Sequence, residues 1–127
     1  MKYVLRVLQE LERGDPAGFE YLDPQHMDEE RIKSANTFLI DLRWPYERLL
    51  SPTIPGAKEW SPIYFERYFK KIPQDKQVIL MCTTGILSFS AGYRLANHGH
   101  HDVKVVYGGY AAWSALHPDL VERLKKP

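Results

Sequence analysis

A single cysteine, Cys82, stands among the 127 residues of this chain. With no second thiol, an internal disulfide and any metal cluster built on several thiolates are excluded, and a reducing compartment is expected. Charge of one sign is lacking as well, because 17 Lys and Arg face 16 Asp and Glu. That balance gives neither the basic surface that binds nucleic acid nor the one that an anionic membrane attracts. No apolar stretch approaches the roughly 20 residues of a spanning helix. At the N-terminus, Arg6, Glu10, Glu12 and Arg13 break up the apolar residues that a signal peptide would keep together. The expectation is a cytoplasmic protein whose partners are small molecules or other proteins, with no nucleic acid and no membrane among them. What is present, 44% hydrophobic and 26% charged residues, is the usage of an ordinary folded domain.

Tyr3, Val4, Val7, Leu8 and Leu11 recur at helical spacing and predict an amphipathic helix closed by Gly14, Asp15 and Pro16. Its apolar stripe must be covered by the rest of the chain or by a second copy, so a monomer or a homodimer is expected. Residues 1–20 are read as this helix with its connecting loop, and residues 21–127 as one domain. The loop continues to residue 27 with room for a short strand, and a short helix is expected near Asp28 to Ala35. Phe38 to Leu42, Val78 to Met81 and Val103 to Tyr107 are compact apolar runs that read as buried strands. A helix is expected over Ile63 to Ile72, entered at Ser61-Pro62 and ended by Pro73. Another runs from about Ser88 to His98, with Gly99 as its left-handed stop. Tyr110 to Leu116 predicts a short helix stopped by Pro118, and a last helix with a basic end follows.

Strands alternating with helices predict an α/β fold: a mainly parallel sheet flanked by helices on both faces, three layers in all. Ligands in such folds bind beyond the carboxyl ends of the strands. Asp41 to Arg43, Met81-Cys82 and Gly108-Gly109 fall there. After the strand Val78 to Met81 come Cys82, Thr83, Thr84, Gly85, Ile86, Leu87 and Ser88, a loop of small and flexible residues opening a helix. Backbone N–H groups at a helix N-terminus are unpaired and carry partial positive charge, so a sulfur held among them is favoured as an anion. The thiolate is the nucleophile, and the same donors would stabilise the outer sulfur of a persulfide. A small apolar residue at a strand end is the alternative role for Cys82.

Asp41-Leu42-Arg43 with Glu47, Ile54-Pro55-Gly56-Ala57, Cys82-Thr83-Thr84-Gly85, and Val105-Val106-Tyr107-Gly108-Gly109 with Trp113 follow one another in the order and spacing of the rhodanese family. From about Tyr21 to Leu116 the chain resembles a rhodanese-like sulfurtransferase. The resemblance implies the rhodanese fold and transfer of sulfane sulfur from a small donor or a persulfidated protein to a thiol acceptor, through a persulfide on Cys82. No redox cofactor, nucleotide or metal is called for. The substrate-binding loop is then Thr83, Thr84, Gly85, Ile86, Leu87 and Ser88. Many rhodanese loops carry Arg or Lys where this one has Leu87, so thiosulfate is expected to be a poor donor. Phosphatases and arsenate reductases of the same fold place His before the cysteine and Arg six positions after it, where this chain has Met81 and Ser88. The remaining alternative is a non-catalytic rhodanese-like module that binds a protein partner.

Asp41 and Arg43 are expected to support the site rather than bind substrate. Arg43 would pair with Glu47, and Asp41 would hydrogen-bond neighbouring loop backbone, because buried strand-end charges need partners. Gly56, Gly108 and Gly109 are expected at turns with unusual backbone angles. His98, His100 and His101 read as a solvated turn rather than a metal site. Trp60, Tyr64, Phe65, Tyr68 and Phe69 read as a core stripe.

Overall fold

The computed structural model describes residues 18–125, and the helix expected over Tyr3 to Leu11 lies outside them. Five strands form one parallel sheet: β1 (Glu20–Leu22), β2 (Thr37–Asp41), β3 (Lys58–Glu59), β4 (Gln77–Met81) and β5 (Val103–Val106). Their spatial order is β1-β5-β4-β2-β3. Helices α1 (Glu29–Lys33), α2 (Pro45–Leu50) and α3 (Ile86–Asn97), with a 3-10 helix over Phe65–Lys71, make the crossovers. Helices α4 (Gly109–Leu116) and α5 (Pro118–Leu124) close the described chain. Among the described residues no helix is long and apolar enough to cross a membrane.

Strand residues alternate between two faces, and this period of two builds two separate cores. Along β4, Val78 and Leu80 lead to Cys82 on one face, where they meet Phe65, Phe69, Ala91 and Leu95 from the 3-10 helix and α3. Ile79 and Met81 point the other way, toward Tyr110 and Trp113 of α4, Leu120 of α5 and Met27. The Trp113 indole donates to the Met27 carbonyl at 2.8 Å, which satisfies its one polar atom inside that core.

Several expectations need correcting. The stretch expected to be a helix from Ile63 winds as a 3-10 helix that begins only at Phe65. It is closed by three-residue bonds, Arg67 N–H to the Tyr64 carbonyl and Ile72 N–H to the Phe69 carbonyl, while Phe65 and Phe69 anchor it in the core. Tyr64 is exposed and outside the stripe, and Trp60 stacks on Tyr68 at 4.5 Å. His100 is not solvated: it is only 5% exposed, with Nε2 at 3.3 Å from the Ile72 carbonyl. The cause is the helix stop, for Gly99 takes φ +102° and the His100 amide returns to the Leu95 carbonyl, turning the ring inward.

Candidate active site

Two backbone amides hold the sulfur of Cys82. Gly85 N–H donates to Sγ at 3.1 Å and Ser88 N–H at 3.4 Å. Both belong to the start of α3, where amide hydrogens have no partner within the helix. Gly85 is the residue that permits this, because φ +98° lets the chain fold back beneath the sulfur before the helix begins. The helix opens at Ile86, two residues ahead of the expectation, so Ile86, Leu87 and Ser88 form its first turn. Cys82 is 2% exposed, and the sulfur is recessed within its loop. Ile86 stands out at 48% exposure, whereas Leu87 is half-buried against the core.

A second helix sets the outside of the loop. The Tyr110 and Ala111 amides, at the start of α4, donate to the carbonyls of Cys82 and Thr83 at 2.7 and 3.0 Å. With the loop carbonyls drawn outward to α4, its amides are left to face the sulfur. The two loops meet at Gly109: a Cβ there would stand 2.3 Å from the Cys82 carbonyl oxygen and 2.8 Å from the Gly85 nitrogen. Only a residue without a side chain fits, which accounts for the second glycine of the pair.

Asp41 and Arg43 lie on the face of the sheet opposite to the sulfur. The expected Arg43–Glu47 pair does not form. Arg43 instead pairs with Asp41, its Nη2 at 3.0 Å from Oδ2, with both side chains almost wholly buried. Asp41 sits at a fully buried strand end and has an uncompensated charge unless the residue two positions on folds back to it. As expected, Asp41 also takes a loop amide, that of Arg43. The guanidinium then stacks 3.9 Å above the Tyr110 ring and donates to the Ser51 and Pro52 carbonyls. Glu47 is occupied otherwise. As the third residue of α2 it accepts the Trp44 amide at 2.9 Å, and its other oxygen accepts the Thr83 hydroxyl. Glu47 is therefore an anchor of the cysteine loop that spacing alone did not reveal; its place just inside a proline-headed helix was the available signal.

Tyr110 joins the two halves of this support, its hydroxyl donating to the Pro52 carbonyl at 2.7 Å. Burial pushes its phenol above the ordinary value; the Arg43 guanidinium opposes that rise and the Asp41 carboxylate adds to it. A proton held more tightly in the folded than in the unfolded state supports folding below the ordinary phenol value of about 10, and that support is lost as pH climbs through the raised value. Tyr110→Phe should cost about 1 kcal/mol near neutral pH, the worth of the lost hydrogen bond. In urea unfolding the gap between wild type and variant should narrow above about pH 10. A gap that stays constant would show that Tyr110 keeps an ordinary titration in the fold.

Beside Thr83 lies a cleft of about 300 Å³, lined by Arg43, Tyr46, Glu47, Leu50, Tyr110 and Ser114. Since Arg43 is neutralised by Asp41, Glu47 supplies the charge of this cleft. Among the described residues no cluster of three His, Cys, Asp or Glu side chains is placed to hold a metal.

A parallel sheet with a cysteine recessed among helix N-terminal amides, beyond the carboxyl end of a central strand, defines an α/β domain with a cysteine loop at its strand ends. Residues 25–116 match the rhodanese-like domain family, and the chain belongs to it. A thiosulfate sulfurtransferase GlpE from Pseudoalteromonas translucida is 28% identical over 94 residues, covering 74% of this chain and 89% of the relative. Among solved structures, a Rhodopseudomonas palustris protein of unknown function, suggested to be a tyrosine phosphatase, has a TM-score of 0.72 at 21% identity, covering 88% of this chain and 89% of that one. A rhodanese-like domain protein from Staphylococcus aureus has a TM-score of 0.66 at 20% identity, covering 75% and 91%. The structural likenesses show the fold, and the family read from the motifs is borne out.

Proposed function

We propose that this chain is a sulfurtransferase that carries sulfane sulfur as a persulfide on Cys82, within a substrate loop of Thr83, Thr84, Gly85, Ile86, Leu87 and Ser88. The observation that carries the reading is the pair of amides on Sγ, from Gly85 and Ser88. Donors of this kind favour negative charge on sulfur, and negative charge is what a sulfur nucleophile and a sulfur leaving group have in common.

In the first half-reaction the Cys82 thiolate attacks the outer sulfur of the donor. A bond forms from Sγ to that sulfur, the donor's own bond to it breaks, and the donor remnant leaves with the electron pair. In the second, an acceptor thiolate attacks the outer sulfur and Sγ departs as thiolate, again held by the two amides. One sulfur atom moves at each step, and the enzyme ends as it began. A recessed Sγ selects donors that present a terminal sulfur on a slim approach. With one cysteine in the chain, release cannot run through an internal disulfide, so the acceptor must come from outside.

Intact mass measured after incubation with thiosulfate or a low-molecular-weight persulfide tests the reading. Wild type should gain one sulfur atom and lose it again to excess thiol, and Cys82→Ser should gain none. A wild type that stays unmodified with every donor would instead favour the non-catalytic module.

A further inference from the structure

Two buried side-chain polar atoms among the described residues have no hydrogen-bond partner, and one of them is the hydroxyl oxygen of Ser88. Ser88 is fully buried. A hydroxyl shut away from water without a partner is unfavourable, so native interiors rarely keep one. A serine in a helix commonly bonds back to the carbonyl four residues before it, and Ser88 does not. Its surroundings show what it could serve. It is the third residue of α3, and its own amide points at the Cys82 sulfur from 3.4 Å. Side chains in a helix lean toward its N-terminus, which at Ser88 is the end where the sulfur lies.

Resting on the persulfide reading above, we infer that the Ser88 hydroxyl is a sulfur-binding group kept for the outer sulfur of the Cys82 persulfide. That sulfur lies one S–S bond, about 2.05 Å, beyond Sγ. In the resting protein the two amides satisfy Sγ and the hydroxyl waits; when the second sulfur arrives, the hydroxyl donates to it and keeps its own proton throughout. The device differs from the backbone cup in kind. The amides serve thiolate and persulfide alike, whereas the hydroxyl would distinguish the loaded from the empty enzyme, and so would set how firmly sulfur is retained against competing thiols.

The opposite consequences of Ser88→Ala make this testable. The unloaded variant should melt at or above the wild-type temperature, since an unpartnered hydroxyl has been removed. Its hold on sulfur should weaken. With glutathione and glutathione persulfide as the reference pair, the equilibrium share of sulfur on Cys82, read by intact mass, should shift toward glutathione by about tenfold, the scale of one charge-assisted hydrogen bond. A variant that melts well below wild type would show the hydroxyl to be structural and would overturn the inference. So would an unchanged partition with wild type loading normally, which leaves the persulfide reading intact. If wild type takes up no sulfur from glutathione persulfide, both fall together.

Discussion

Asp41→Ala is expected to lower the unfolding free energy by about 3–5 kcal/mol, because it leaves the Arg43 guanidinium buried without its counter-charge. Arg43 is 2% exposed, so it cannot recover by turning to water. Against a total of about 5–15 kcal/mol for a domain of this kind, the loss is a large share. Asp41→Leu combined with Arg43→Met should recover much of it, since removing both charges removes the desolvation cost as well. Urea unfolding of the three proteins measures the difference. At a temperature where Asp41→Ala remains folded, sulfur loading of Cys82 should change little, because the pair contacts Tyr110 and the 51–52 backbone on the opposite face of the sheet. Loss of loading without loss of stability would put Asp41 in substrate binding and overturn this assignment.

Leu87→Arg should raise kcat/KM for thiosulfate by about tenfold or more, while changing turnover of a persulfide donor much less. No charged side chain lies between Cys82 and Ser88, so within this loop the oxygens of a small dianion find no counter-charge beyond the partial charges of the backbone amides and the helix dipole. A charge-assisted hydrogen bond is worth roughly 1.5–3 kcal/mol, which sets the size of the gain. The variant must lift its side chain away from the core on which Leu87 packs, so its melting temperature should fall as its activity rises. Steady-state transfer to cyanide, with each donor and each protein, measures the effect. Efficient use of thiosulfate by wild type with no gain in the variant would mean that the backbone suffices.

The arrangement around Cys82 was legible because apolar strands and glycine stops are local signals. Val78 to Met81 is apolar at every position, and Gly85 and Gly99 mark where the backbone must turn. β3 was not legible: Lys58–Glu59 is two exposed polar residues that join the sheet beside β2 through backbone pairing, with Glu59 also ion-paired to Arg48 of α2. The partner of Arg43 was missed because spacing offers two acids, two positions before and four after, and only the burial of the first decides between them. The inward turn of His100 and the late 3-10 winding at Phe65 depend on what packs above them, which no local pattern encodes. The clamp of α4 on the loop was half legible. The double glycine announced a turn, but not that a chain segment 27 positions before Gly109 would press against it.

That clamp is made from main-chain atoms on both sides. Tyr110 and Ala111 contribute amides, Cys82 and Thr83 contribute carbonyls, and Gly109 contributes the lack of a side chain. The shape of the cysteine loop is thereby decoupled from the identity of most residues within it. Thr84, Ile86 and Leu87 can be exchanged for others while the cup persists, provided the number of residues from Cys82 to Ser88 is kept. The scaffold behaves as a socket into which loops of equal length can be fitted, and the surface presented around the sulfur becomes the variable that such exchanges tune.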